Sequence, residues 1–156
     1  EFCGPKDPQT ETPLHIAATF GYQRLSEILL DYGSDIQAKN REGLTPLHIA
    51  AKKGHVSLVS CFINRGADIH AQTPHGWTPL HLAITDNINS YPITKILLEA
   101  GSDNQSIDIY GLTPLQYSII QQSDESTDCL RSYSIISFFW SLYNRFLLVM
   151  YIYTRV

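Results

Sequence analysis

Two kinds of short apolar run alternate along most of the chain, separated by polar stretches marked with glycine. The first kind begins at a Thr-Pro pair: Leu14 to Ala18, Leu47 to Ala51, Leu80 to Ile84 and Leu115 to Ile119. The second carries Leu25, Ile28 and Leu29, then Val56, Val59 and Ile63, then Ile93, Ile96 and Leu97. Three- and four-residue spacing of this sort gives an apolar stripe along one helix face. The pattern predicts a short first helix ending near Gly21 or Gly54. A second helix follows over Arg24 to Tyr32, Val56 to Asn64, and from Pro92 onward.

The Thr-Pro-Leu-His run makes chemical sense as a helix start. Thr12, Thr45, Thr78 and Thr113 can each accept a hydrogen bond from an orphan amide two or three residues on. Proline then takes the first helical position, where its missing N–H costs nothing. Leucine points inward, and small pairs such as Ala17-Ala18 and Ala50-Ala51 let neighbouring helices approach closely. Glycine at Gly21 and Gly54 can take the positive φ of a helix stop.

The steps between Thr12, Thr45, Thr78 and Thr113 are 33, 33 and 35 residues. A fixed period of that size marks an architecture of stacked repeats. Flanking residues keep the same frame: Gly33, Gly66 and Gly101; Asp35, Asp68 and Asp103; Gly43, Gly76 and Gly111. On these residues the chain resembles the ankyrin repeat family from about Asp7 to Gln121. The resemblance implies an all-α ankyrin-repeat solenoid, each repeat a helix-turn-helix plus a projecting β-hairpin. Such units bury their sides against one another, so stability grows by stacking.

The expected organisation is an extended segment over 1–6 and repeats over about 7–39, 40–72 and 73–107. A partial repeat over 108–122 and an irregular or capping tail over 123–156 complete it. Departures from the pattern fall at Thr10, where later repeats have glycine, and at the longer turn Asn87-Ile88-Asn89-Ser90-Tyr91. In the fourth repeat Gln116 replaces histidine, and an acidic stretch follows where a second helix is expected, with helix resuming at about Cys129.

From Tyr133 the chain turns aromatic and aliphatic. Asn144 and Arg145 interrupt the 133–153 segment, and an arginine at mid-membrane costs roughly 2.5–3.5 kcal/mol. The unbroken run from Phe146 to Tyr153, 8 residues, is too short to span. Three readings stand for this tail: an apolar cap on the last repeat, a segment for a partner or membrane surface, or non-native sequence.

The net charge of −4 argues against nucleic acid, whose binders need a basic stripe. Cys3, Cys61 and Cys129 fit no metal or disulfide spacing, and Cys61 reads as a small buried apolar residue. No secretory signal is visible, so the expected setting is intracellular, cytoplasmic first and nuclear second. The absent initiator methionine is read as a start inside a longer protein.

His15, His48 and His81 invite a metal hypothesis, one residue per repeat. Equivalent positions in stacked units lie about 8–10 Å apart, whereas zinc ligands lie about 2.0–2.1 Å from their metal. The resemblance implies instead that these histidines tie neighbouring hairpins together and that His55 joins the two helices. His70 and His75 have no third ligand nearby in sequence, and Asp35, Asp68 and Asp103 are expected to satisfy turn amides. The isolated glycines form no phosphate-cradling loop. No catalytic constellation emerges, so no metal, cofactor or enzymatic activity is expected.

Function is then sought at positions that vary between repeats. Ankyrin repeats present these along one concave face, where the family generally binds other proteins. The expected partner-binding residues are Arg41, Glu42, Leu44, Lys52, Lys53, His75, Trp77, Asp86, Ile109, Tyr110 and Leu112. Trp77, Tyr110 and Ile109 resemble interface anchors; the competing reading has Trp77 and Leu112 packing on neighbouring hairpins. Lys39, Arg41, Lys52 and Lys53 form a basic cluster that either attracts an acidic segment or merely solvates the face. The leading function is a non-enzymatic protein–protein interaction module. The alternatives are the cytosolic ankyrin region of a membrane protein and the targeting region of a larger enzyme.

Overall fold

The computed structural model describes residues 11–84, 90–120 and 128–133. Within them lie α1 (Pro13–Phe20), α2 (Gln23–Asp31), α3 (Pro46–Lys53), α4 (Val56–Asn64), α5 (Pro79–Ile84), α6 (Ser90–Glu99) and α7 (Pro114–Ile120). A short helical piece, α8, covers 128–133.

The Thr-Pro starts work as capping boxes. The His15 and His48 amides donate to the hydroxyls of Thr12 and Thr45 at 3.4 Å. In return, the Thr12 and Thr45 amides donate to the histidine Nδ1 atoms at 3.2 Å. Two orphan donors are satisfied at each helix start, with histidine in the place more often held by Glu or Gln. In the fourth repeat Gln116 restores that commoner arrangement, its Oε1 accepting from the Thr113 amide at 2.8 Å. At the other end Gly21 and Gly54 stop α1 and α3 in the left-handed conformation, with φ of 73° and 82°.

The second helices differ slightly from expectation. Tyr32 caps α2 instead of extending it, so the helix runs one residue earlier at both ends. Likewise α6 begins at Ser90, with Pro92 inside its first turn, where a proline removes no intrahelical bond.

The β-hairpin expected in each repeat is corrected. No strand is present among the described residues. Each projecting arm instead closes in a tight turn: the Asn40 amide donates to Leu44 O at 3.0 Å, Thr73 to Trp77 O at 3.0 Å, and Asp108 to Leu112 O at 3.1 Å. A second bond in each turn runs from the glycine amide (Gly43, Gly76, Gly111) back to the carbonyl of Asn40, Thr73 and Asp108, and two bonds within a turn are too few for a ladder.

Packing follows two rows. The first helices α1, α3, α5 and α7 pack on one another more extensively than α2, α4 and α6 do. The cause is side-chain size, because Ala17, Ala18, Ala50, Ala51 and Ala83 are buried between them. Leu14, Leu47 and Leu80, one per repeat, are fully buried, each contributing about 1.5–3 kcal/mol. Leu58, Phe62, Ile93 and Leu97 continue the same core, and Leu130 of α8 joins it with no exposed surface.

The stripe of α2 is only partly covered. Leu25 and Ile28 stay 43% and 49% exposed, whereas Leu58, in Leu25's register one repeat on, is 1% exposed. Among the described residues no helix precedes α1 to cover them.

Candidate interaction surface

Each turn is held by a residue at its base. Asn40 Oδ1 accepts from the Glu42 and Leu44 amides at 3.0 and 2.9 Å. Thr73 Oγ1 accepts from the Trp77 amide at 3.2 Å. Asp108 Oδ1 accepts from the Tyr110 and Leu112 amides, both at 2.9 Å. The two residues between base and glycine are thereby presented outward: Arg41-Glu42, Pro74-His75 and Ile109-Tyr110 are all exposed.

The three repeat histidines link each turn to the helix start before it. His15 Nε2 lies 3.0 Å from Leu44 O, His48 Nε2 3.1 Å from Trp77 O, and His81 Nε2 3.2 Å from Leu112 O. Because Nδ1 accepts from the threonine amide, Nε2 carries the proton and donates to the carbonyl. Burial pushes the His48 pKa down to about 4 against the opposing pull of the Trp77 and Ala71 carbonyls. Burial lowers His15 and His81 too. All three are therefore neutral structural ties at pH 7.

The other suspected ligands are similarly engaged. Asp35, Asp68 and Asp103 accept from the amides of Gln37, His70 and Gln105 at 2.8, 2.9 and 2.8 Å. His55 Nε2 reaches Thr19 O at 3.1 Å across the inter-helix turns. Among the described residues no group of His, Cys, Asp and Glu is placed to hold a metal. Cys61 and Cys129 are half-buried free thiols whose pKa values are raised by burial, so neither is activated.

The residues expected to bind a partner divide by environment. Arg41, Glu42, Lys52, Lys53, His75, Ile109 and Tyr110 are exposed, Ile109 and Tyr110 by 60% and 68%. Leu44 is 7% exposed and packs in the core, leaving almost no side chain for a partner. Leu112 is half-buried, and Asp86 lies outside the described residues. Trp77 is half-buried: its ring packs against the core, and its indole N–H donates to Asp108 Oδ2 at 3.1 Å. His75 sits beside it, ring centres 5.5 Å apart. In the basic cluster, Lys39 donates to Gln72 O at 3.0 Å and so bridges two arms.

Asp108 and Tyr117 were not legible as a unit. The Tyr117 hydroxyl donates to Asp108 Oδ2 at 2.6 Å, and its ring meets His81 edge-on at 5.9 Å. Burial raises the Asp108 pKa, but the hydrogen bonds from Tyr117, Leu112, Trp77 and Tyr110 outweigh it and hold the carboxyl below its ordinary value. The available signal was positional, since Asp108 stands in the register of Asn40. Further apolar exposure was also missed, with Ile107 and Ile119 59% and 49% open.

An open cleft between α6 and α8 is lined by Tyr91, Lys95, Asp128, Cys129, Ser132 and Tyr133. No helix among the described residues is long and apolar enough to cross a membrane. Against known protein families, the sequence matches ankyrin repeats (3 copies) over residues 14–108 and 50–136. No curated protein matches it.

Proposed function

The chain belongs to the ankyrin repeat family, and from that premise we propose that it is a non-enzymatic module that holds a partner protein on its turn tips and the exposed ends of its first helices. Ankyrin repeats generally serve in protein–protein interaction. One contrast supports the finer reading. Positions used alike in each repeat are buried or hydrogen-bonded, while Arg41-Glu42, Pro74-His75 and Ile109-Tyr110 differ in chemistry and face outward. Positions that vary between repeats can be selected for binding without disturbing the residues that recur in every repeat.

Within this reading Arg41, Glu42, Lys52, Lys53, His75, Ile109 and Tyr110 make contact. Asp86, in the register of Lys53, joins them. Leu44, Trp77 and Leu112 support the turns from below. The free thiols of Cys61 and Cys129 fit a reducing, intracellular setting, cytoplasmic or nuclear.

The test is capture from cell lysate on the immobilised full chain, beside an Ile109→Ala/Tyr110→Ala variant, with bound proteins identified by mass spectrometry. Trp77→Ala is a poor probe, since the indole braces Asp108. Protein held by the wild type and lost by a variant of unchanged helicity supports the reading. Identical capture by both would refute it for these tips.

A further inference from the structure

Three positions that are engaged in the second repeat stand open in the first. His55 and Arg65 reach back across the repeat boundary: His55 Nε2 meets Thr19 O at 3.1 Å, and the Arg65 guanidinium donates to Asp31 Oδ1 at 2.7 Å. Leu58, between them in α4, is buried. One period earlier the same positions hold Tyr22, Leu25 and Tyr32, with Tyr22 and Tyr32 56% and 89% exposed. Three- and four-residue steps from Tyr22 through Leu25 and Ile28 to Tyr32 make these neighbours on one side of α2 and its ends. Phe20, 62% exposed, stacks on Tyr22 with ring centres 5.6 Å apart and extends the patch onto α1.

This face lacks the links that hold one repeat to the next. The second repeat ties itself to the first through an imidazole on a carbonyl and a cation on a carboxylate. In the first repeat both places hold tyrosine, which supplies no cation. What stands there instead is three rings beside Leu25 and Ile28, with no carboxylate or cation among the five. Two acids elsewhere on α2 are engaged, Glu27 accepting from the Gln23 side-chain amide at 2.9 Å and Asp31 from Arg65. Phe and Tyr are residues in which protein interfaces are enriched, and charge is what the core of an interface lacks.

We propose that two copies of this chain meet through this patch, α2 of one against α2 of the other. A two-fold contact lays a patch on its own copy, so any charge within it would oppose itself, and a patch without charge escapes that cost. The area is of the right order. Aromatic side chains bury about 150–250 Å² each, so the open parts of the three rings offer about 300–500 Å². Leu25 and Ile28, nearly half open, carry this toward the roughly 600 Å² per partner at the lower end of specific interfaces. The tyrosine hydroxyls stay in the wet rim while their rings are covered. A contact of this size dissociates at about micromolar concentration. It uses none of the turn tips, so it stands or falls separately from the interaction role proposed above.

Sedimentation equilibrium of the full chain, from about 1 to about 100 μM, reads the association directly. Beside the wild type run Tyr22→His/Tyr32→Arg, which copies the residues of the second repeat, Ile28→Glu, and the tip variant Ile109→Ala/Tyr110→Ala. Circular dichroism checks that each keeps its helicity, and Ile28→Glu stands in should the tyrosine pair prove necessary for folding. The wild-type mass should rise from one chain to two across this range and stop there. Tyr22→His/Tyr32→Arg and Ile28→Glu should each dissociate about tenfold or more readily, and the tip variant should match the wild type. A wild type that stays at the mass of one chain throughout, its face being covered from within the chain or not at all, overturns the proposal. So does growth beyond two chains, which a closed two-fold contact forbids. Association that persists unchanged in both folded α2-face variants also overturns it and moves the contact to another surface, with the apolar 134–156 segment the first to remove.

Discussion

The indole N–H of Trp77 reaches Asp108 Oδ2 across the gap between the third and fourth turns, at 3.1 Å. The same oxygen accepts the Tyr117 hydroxyl, so one carboxylate links two successive turns and α7. Asp108→Ala should therefore cost about 1–3 kcal/mol or more, because it leaves the Trp77, Tyr117, Tyr110 and Leu112 donors without their acceptor. Trp77→Phe should cost less, keeping the ring and losing one bond. The sign with pH follows from the lowered carboxyl pKa. The native state holds this proton less tightly than the unfolded chain, so the stabilisation is complete above the ordinary value of 3.8. It fades as pH falls through the lowered native value. Urea unfolding of wild type and Asp108→Asn should accordingly converge as pH drops below 3.8; a constant difference would remove the carboxylate from the account.

His48 supplies the opposite chemistry with the same direction. Its native pKa of about 4 lies below the ordinary 6.5, so the unfolded chain binds the proton first. Stability should be flat above pH 6.5 and decline between 6.5 and about 4, by about 3 kcal/mol from this residue alone. His48→Gln, which copies the natural choice at Gln116, should start less stable at pH 7 and show a shallower decline. Denaturant midpoints at half-unit pH intervals decide it.

Leu47 and Ile16 differ in cover, not in hydrophobicity. Leu47 is fully buried and Ile16 is 44% exposed. Leu47→Ala should cost about 2–5 kcal/mol, against about 1 kcal/mol for Ile16→Ala. Thermal melts followed by circular dichroism separate the two, and equal losses would mean that the first repeat's outer side is covered in solution.

Gly43 and Gly66 share positive φ, 74° and 82°, but not their surroundings. A Cβ on Gly43 would sit 2.4 Å from Pro74 Cδ in the next turn, whereas one on Gly66 meets nothing within 4 Å. Gly66→Ala should cost only the left-handed strain, about 1–2 kcal/mol, and Gly43→Ala clearly more. Adding Pro74→Ala to Gly43→Ala should recover part of the loss, a non-additivity that urea midpoints can measure.

What the sequence determined by itself is whatever a few neighbouring residues decide among themselves. Thr12 capping its helix, Gly54 stopping α3 and Asp35 binding the amide two residues on are all closed within a turn or two of chain, and all were legible. The resemblance to ankyrin repeats, carried by the repeat period, extended that legibility to the histidine ties. The rest depended on what lies opposite. Leu44 and Leu112 hold the same register position, yet one is sealed into the core and the other half-open, according to the packing around each. Arms that sequence reads as hairpins close with two backbone bonds inside each turn and form no strand among the described residues. Trp77 became a brace because Asp108, 31 residues away, places an acceptor where the indole points. Burial and long-range hydrogen bonds are properties of pairs brought together by the stack, and only the stack decides them.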